Sequence, residues 1–269
     1  MPRSSTVSLA CGRRGSGVPV VLLHGYCGSK HYWDEIIAPL SAEYDVIVPD
    51  LRGHGVSPTA EESTYSMEQL ADDITALLDR LQLERVFLFG HSLGGYVALA
   101  FAERHPHRLL GFGLIHSTSL PDTEAGKEGR LATAEQVRSA GVGPFVDGLV
   151  PKLFAPQHRQ QPAMARQIAQ AREIGRGTSP QGVIGCALGM RERPDRTDVL
   201  RRTPLPVLLL AGEQDEVIPP ERRFPVEARS NIAMTLLPDT GHMGMMEAPE
   251  AMARHLLAFV ERSRGGPNV

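Results

Sequence analysis

Five short apolar runs recur along this chain, with helical patterns between them: residues 19–24 (PVVLLH), 45–49 (DVIVP), 86–90 (VFLFG), 109–115 (LLGFGLI) and 207–211 (VLLLA). A weaker sixth covers 232–238 (IAMTLLP). Each is rich in β-branched or large aliphatic residues and is bounded by Gly, Pro or Asp. Continuous apolar runs of this length suit strands buried on both faces, as in a parallel sheet. Between them, residues 66–81 place Met67, Leu70, Ala71, Ile74, Leu77, Leu78 and Leu81 on one helical face. Ser66 is its expected N-cap, with Gln69 three residues on as in a capping box. Residues 93–105 and 249–262 also read as helices. Strand, helix and strand in repetition predict a doubly wound, mostly parallel sheet. Residues 6–10 are expected to add an antiparallel edge strand.

One region breaks the rhythm. Between Ser117 and Thr203 there is no convincing buried strand, only helical segments near 124–140, 143–153, 162–175 and 180–192. A long helical insertion between two strands usually covers something. The expected division is therefore a core of residues 1–117 and 203–269, with 118–202 as a helical lid inserted before the strand that precedes Asp215. No internal repeat, low-complexity tract or interdomain linker is evident, and only residues 264–269 read as frayed.

The stretch FGHSLGGYVALAF places Gly90, Ser92 and Gly94 at alternate positions, where a strand pattern gives way to a helical one. Glycines on both sides allow a tight strand-to-helix turn and strained dihedrals. Such a turn lifts the Ser92 hydroxyl clear of the sheet, and the new helix turns its amide groups and positive end toward it. A serine nucleophile needs a base, and the base needs an orienting group. Asp215 lies just past the run 207–211, where ligands meet sheets of this type. His242 lies in the loop after 232–238. Ser92, Asp215 and His242 thus follow three strands in that chain order. The oxyanion of an acyl-transfer intermediate needs two donors. The backbone N–H of Leu93 is one candidate. The N–H of Tyr26, after the turn at Gly25, is the other.

The motifs His24-Gly25, Asp50-Leu-Arg52-Gly53-His54-Gly55-Val-Ser57, Gly90-His91-Ser92-Leu93-Gly94-Gly95, Gly212-Glu-Gln-Asp215 and Gly241-His242 occur in one order. In that order the chain resembles the α/β-hydrolase-fold serine hydrolases, from about residue 18 to 260, with the lid aligning only loosely. Among them it resembles small bacterial carboxylesterases and the cofactor-free haloperoxidase and enol-lactonase group. The stretch HGYCGSKHYW, ending at Trp33, is similar to their oxyanion loop and following helix. The resemblance implies a sheet of eight strands. The short N-terminus here leaves about seven to eight. It also favours Asp215 over its neighbours Glu213 and Glu216 as the acid. A serine in place of an aspartate nucleophile argues against the haloalkane dehalogenases and epoxide hydrolases, which attack with a carboxylate.

Composition narrows the function classes. A net charge of −3 and a pI near 6.4 offer no basic surface for nucleic acid. No apolar run approaches the ~18 residues of a membrane span. The N-terminus lacks the apolar core of a signal peptide, so a cytoplasmic protein is expected. Its three cysteines, Cys11, Cys27 and Cys186, are too few and too scattered for a disulfide framework or a zinc site.

The expected function is serine carboxylesterase action on a small ester, through an acyl-enzyme and without metal or organic cofactor, by a monomer or homodimer. The alternatives are the same triad acting on a lactone, on a C–C bond or in perhydrolysis, and a slow-turnover ligand receptor. Gly25, Trp33, His91 and Met243 are expected near the substrate. His24, His54 and His91 are also read as loop braces, as is Arg52. Cys27 reads as an inert small side chain. Met245 and Met246 suit an acyl pocket or plain core, and Arg191, Arg193, Arg196, Arg201 and Arg202 suit a solvated face or attraction of an acidic substrate.

Overall fold

The computed structural model describes residues 6–264. Its strands are β1 (Cys11–Arg14), β2 (Pro19–Leu23), β3 (Asp45–Pro49), β4 (Val86–His91), β5 (Leu109–Ile115), β6 (Val207–Gly212) and β7 (Ile232–Leu237). They form one seven-stranded sheet in the order β1-β3-β2-β4-β5-β6-β7. All neighbouring pairs are parallel except β1 with β3. The six apolar runs are β2 to β7, with ends shifted by at most one residue.

The edge strand lies elsewhere than expected. Residues 6–10 are not a strand, and β1 follows them, pairing Cys11 with Pro49 and Arg14 with Val46. Several backbone groups of 6–10 are already taken. The Val7 N–H donates to Asp73, the Ala10 N–H to the Ser57 hydroxyl, and the Ala10 carbonyl accepts from Asp50 N–H. β1 is polar, and its Arg13 forks onto the Asp45 carboxylate at 2.7 Å.

Alternation along the strands divides the core in two. Val20, Leu22, Phe87, Phe89, Leu208 and Leu210 enter one cluster, with Ile36 and Leu40 of α1 (Asp34–Ser41). Val21, Leu23, Val86, Leu88, Val207 and Leu209 enter the other. There they meet α2 (Met67–Arg80) and α3 (Leu93–Arg104) through Leu70, Ile74, Val97 and Phe101. The capping box of α2 forms in full: Ser66 Oγ accepts from Gln69 N–H, and Gln69 Oε1 accepts from Ser66 N–H.

Five helices separate β5 from β6: α4 (Glu124–Ala140), α5 (Val142–Leu153), α6 (Ala165–Arg176), α7 (Pro180–Arg191) and α8 (Thr197–Arg202). The segment expected at 162–175 opens with a single 3-10 turn, Pro162–Met164, before α6. After β6 come α9 (Pro220–Arg223), α10 (Gly244–Glu247) and α11 (Pro249–Arg264). Leu256 and Phe259 of α11 pack in the same cluster as α1. The expected frayed end begins at Arg264, the last residue of α11; residues 265–269 lie outside the described residues. No described helix is long and apolar enough to cross a membrane.

The strand order places the site. From central β2 the chain steps outward to β3, then returns past β2 to β4 and runs the other way. The crevice outside the carboxyl ends of β2 and β4 is therefore the point where strand order reverses, the usual ligand position in such sheets. Gly25 and Tyr26 follow β2, and Ser92 follows β4. Helices of the insertion meet these loops. Tyr26 Oη donates to the Val183 carbonyl of α7 at 2.8 Å, and Ser179 Oγ donates to the Gly53 carbonyl at 2.8 Å.

Candidate active site

Ser92 joins β4 to α3 with φ 50° and ψ −112°, a left-handed conformation for a residue with a side chain. Non-glycine residues there are uncommon and strained. The turn is held from several sides. Ser92 N–H donates to Ile115 O at 3.0 Å, and the Ser117 hydroxyl donates to Ser92 O at 2.8 Å. The flanking glycines are needed for space: a side chain at Gly90 would run into the Gly94 carbonyl. Ser92 itself is only partly buried, so its hydroxyl is reachable.

The loop after β2 closes against this turn. A Cβ on Gly25 would stand 3.2 Å from Ser92 Cβ and 2.5 Å from His91 Nδ1. The Gly25–Tyr26 backbone therefore abuts Ser92. Leu93 is the first residue of α3, so no carbonyl of that helix takes its N–H. Two candidate donors thus share the neighbourhood of one hydroxyl.

Asp215 and His242 are brought together from 27 residues apart. His242 Nδ1 donates to Asp215 Oδ2 at 2.8 Å. The other carboxylate oxygen, Oδ1, accepts from Val217 N–H at 2.8 Å and Ile218 N–H at 3.0 Å. Both side chains are almost fully buried. Burial alone would raise the Asp215 carboxyl, but His242 and His116 reverse this and hold it well below the usual carboxylate range. With Nδ1 committed to the carboxylate, the His242 Nε2 lone pair is left to receive a proton.

The backbone around His242 is held at several points. Its N–H donates to the Leu153 carbonyl at the end of α5, at 2.7 Å. Its carbonyl accepts from His91 Nε2 at 2.9 Å. His91 immediately precedes Ser92, so this bond fastens the His242 loop to the Ser92 turn. His91 is 2% exposed and braces that loop. Glu247 clamps the two flanking amides: its Oε1 accepts from Gly241 N–H at 3.0 Å and Met243 N–H at 3.1 Å. Its Oε2 accepts from Ala155 N–H at 2.8 Å and His158 Nδ1 at 2.7 Å.

Two of these partners were missed by sequence reasoning. Glu247 carries no signal in a chain pattern, because its donors lie up to 92 residues away. His116 had one: it directly follows β5, as Asp215 and His242 lie in the loops after β6 and β7. It has φ 46°, is fully buried, and puts Nδ1 3.6 Å from Asp215 Oδ2. Burial lowers the His116 and His91 imidazoles, so both are neutral beside His242.

Of the other residues expected near substrate, Trp33 and Met243 are both fully buried and belong to the apolar core. Met245 and Met246 lie in that core too. His24 accepts the Leu51 N–H at Nε2, and Arg52 forks onto buried Asp73 at 2.7 and 2.8 Å, both holding loops. Among the described residues the three cysteines are unpaired. Burial pushes the Cys27 thiol well above its ordinary value, which leaves it unreactive. No group of three or more His, Cys, Asp or Glu among the described residues is arranged to hold a metal ion.

Comparison with known proteins identifies the fold family. The family model for the alpha/beta hydrolase fold matches residues 18–249. A thermophilic esterase from Thermogutta terrifontis, solved with malate bound, is 36% identical and superposes with a TM-score of 0.89, covering 95% of this chain and 93% of that one. The dihydrolipoyllysine-residue acetyltransferase component of the acetoin cleaving system of Pseudomonas putida is 33% identical across 91% of this chain. The chain spans 64% of that protein's length. The 3-oxoadipate enol-lactonase 2 of Acinetobacter baylyi is 29% identical over 86% of this chain and 84% of its own.

Proposed function

The chain belongs to the α/β-hydrolase fold family, and on that premise we propose that it is a serine carboxylesterase acting on small carboxylic esters. The observation that carries this reading is the Asp215–His242 hydrogen bond at 2.8 Å, tied through His91 to a Ser92 turn held at φ 50°. His242 Nε2 takes the Ser92 proton as the hydroxyl attacks the ester carbonyl. Asp215 fixes the imidazole tautomer and stabilises the imidazolium. The N–H groups of Tyr26 and Leu93 receive the oxyanion; one such donor is typically worth about 10²–10³ in rate. His242 then protonates the departing alcohol, and water repeats the sequence on the acyl-enzyme. Residues 118–202 act as the lid over this crevice, the rest of the chain as its core. That the Thermogutta esterase holds malate, a small acid, fits a pocket for small substrates.

The test is turnover of p-nitrophenyl esters from acetate to palmitate by wild type and Ser92→Ala. Short esters are expected to be hydrolysed, with kcat lowered about 10⁴-fold or more in the variant. Undiminished activity in folded Ser92→Ala would remove Ser92 from the reaction. No turnover at any length by wild type would remove the esterase reading and favour a lactone, a C–C bond or a receptor role.

A further inference from the structure

A cavity of about 440 Å³ opens beside the catalytic loops. Its wall includes Tyr96, one turn along α3 from Ser92, and Ile218, whose amide Asp215 binds. The insertion contributes, among others, Asp122, Arg130 of α4, and Arg193 just past α7. Two guanidiniums there share one carboxylate. Arg193 Nη2 lies 2.8 Å from Asp122 Oδ1, and Arg130 Nε donates to Asp122 Oδ2 at 3.0 Å.

The two arginines are differently committed. Arg193 is a structural strut. It donates to the Met190 and Leu120 carbonyls, and its guanidinium sits 3.9 Å over the Tyr96 ring. Arg130 is held by Nε alone, and no described residue accepts from its two terminal nitrogens. Its side chain keeps 26% of its surface accessible, and the residue lines the cavity. Asp122, Tyr96 and Tyr26 all act on its charge, which offsets the burial that opposes it. Tyr26 and Tyr96 both adjoin Ser92, one through Gly25 and the other through the first turn of α3. The carboxylates at the cavity mouth, Glu216 and Glu221, are exposed, and Glu216 pairs with Arg159. Arg222 also lines the cavity and donates to the Pro121 carbonyl. The lining thus sets three arginines against Asp122, Glu216 and Glu221, and of these carboxylates only Asp122 is bonded to Arg130. A partly buried cation whose terminal nitrogens have no protein acceptor calls for an anion. The planar fork matches a carboxylate with two parallel hydrogen bonds.

We propose that Arg130 is the carboxylate-binding residue of the substrate pocket, and that the substrates are small esters carrying a second, free carboxylate. This rests on the esterase reading above. It is tested with the monoethyl and diethyl esters of succinic, glutaric and adipic acid, followed by acid release, using wild type, Arg130→Met and Arg130→Lys, each checked for folding by thermal unfolding. For at least one chain length the wild-type kcat/KM should favour the half-ester over the diester by about tenfold or more. In Arg130→Met this ratio should fall to near one, chiefly through a higher KM for the half-ester. Arg130→Lys, which keeps the charge without the fork, should fall between. Should Arg130→Met fail to fold, the wild-type ratio and Arg130→Lys decide.

Diesters turned over as well as half-esters at every length would overturn the carboxylate site and leave the esterase reading standing. So would an unchanged ratio in folded Arg130→Met. No turnover of any ester would sink the esterase reading instead. Calorimetric titration of wild type and Arg130→Lys with succinate, glutarate and adipate then decides the site. Binding weakened by the substitution supports it, and no binding overturns it.

Discussion

Glu247 shows how much of the candidate site's geometry rests on one side chain whose carboxylate is fully engaged by protein donors. Four donors converge on its carboxylate, two from the amides flanking His242 and two from residues 155 and 158. A glutamine has the same shape but presents an NH₂ group to at least one of these donors. Glu247→Gln should therefore loosen the base loop, lowering kcat tenfold or more while KM changes less than threefold; charge-assisted hydrogen bonds are worth about 1.5–3 kcal/mol each. Steady-state kinetics on a short ester checks this, and an unchanged kcat in a folded variant would reduce Glu247 to a packing residue. The Asp215–His242 pairing and the tight Ser92 turn were legible in the sequence because each of these residues sits in a motif after a strand. Glu247, and the contact of His116 with Asp215, were not, because they exist only once strands distant in the chain lie side by side.

At the scale of elements, the strands were readable because burial on both faces leaves an unbroken apolar run. The helix α2 was readable to its cap, since Ser66 and Gln69 sit at the spacing a capping box requires. Ser66→Ala should cost about 1 kcal/mol of stability, measured by urea unfolding. Ser66 lies outside the site, so kcat/KM should not change. A loss below 0.3 kcal/mol, on the order of the smallest cap effects, would mean that packing alone holds this helix end. β1 was misplaced because an edge strand needs no apolar run. Its position follows from which backbone groups remain free, and Asp73, Ser57 and Asp50 have already claimed groups of Val7 and Ala10. The helices α8, α9 and α10 went unread because they span only six, four and four residues, too short for a periodic pattern.

The whole molecule joins the sheet's reversal of strand order to an insertion that meets the loops at its carboxyl edge. The same burial that builds the site makes the fold acid-sensitive. Burial drives His24 down to about 4 and His54 to about 3, against an ordinary value near 6.5. Below pH 6.5 the unfolded chain takes up protons that the folded chain refuses. Stability present above pH 6.5 is therefore lost as pH falls toward 4 and then 3. Each histidine adds a slope of up to about 1.4 kcal/mol per pH unit. Asp215, held low, acts in the same direction only below about pH 4. The thermal midpoint should thus drop steadily between pH 6.5 and 4, and a flat midpoint across that window would show that these histidines are protonated in the folded chain. The central claim, that Ser92 is an activated nucleophile, is tested most directly by reaction with a fluorophosphonate followed by peptide mass analysis. The account predicts one adduct per chain, on the peptide carrying Ser92. An adduct on another residue, or none on the folded protein, would contradict it.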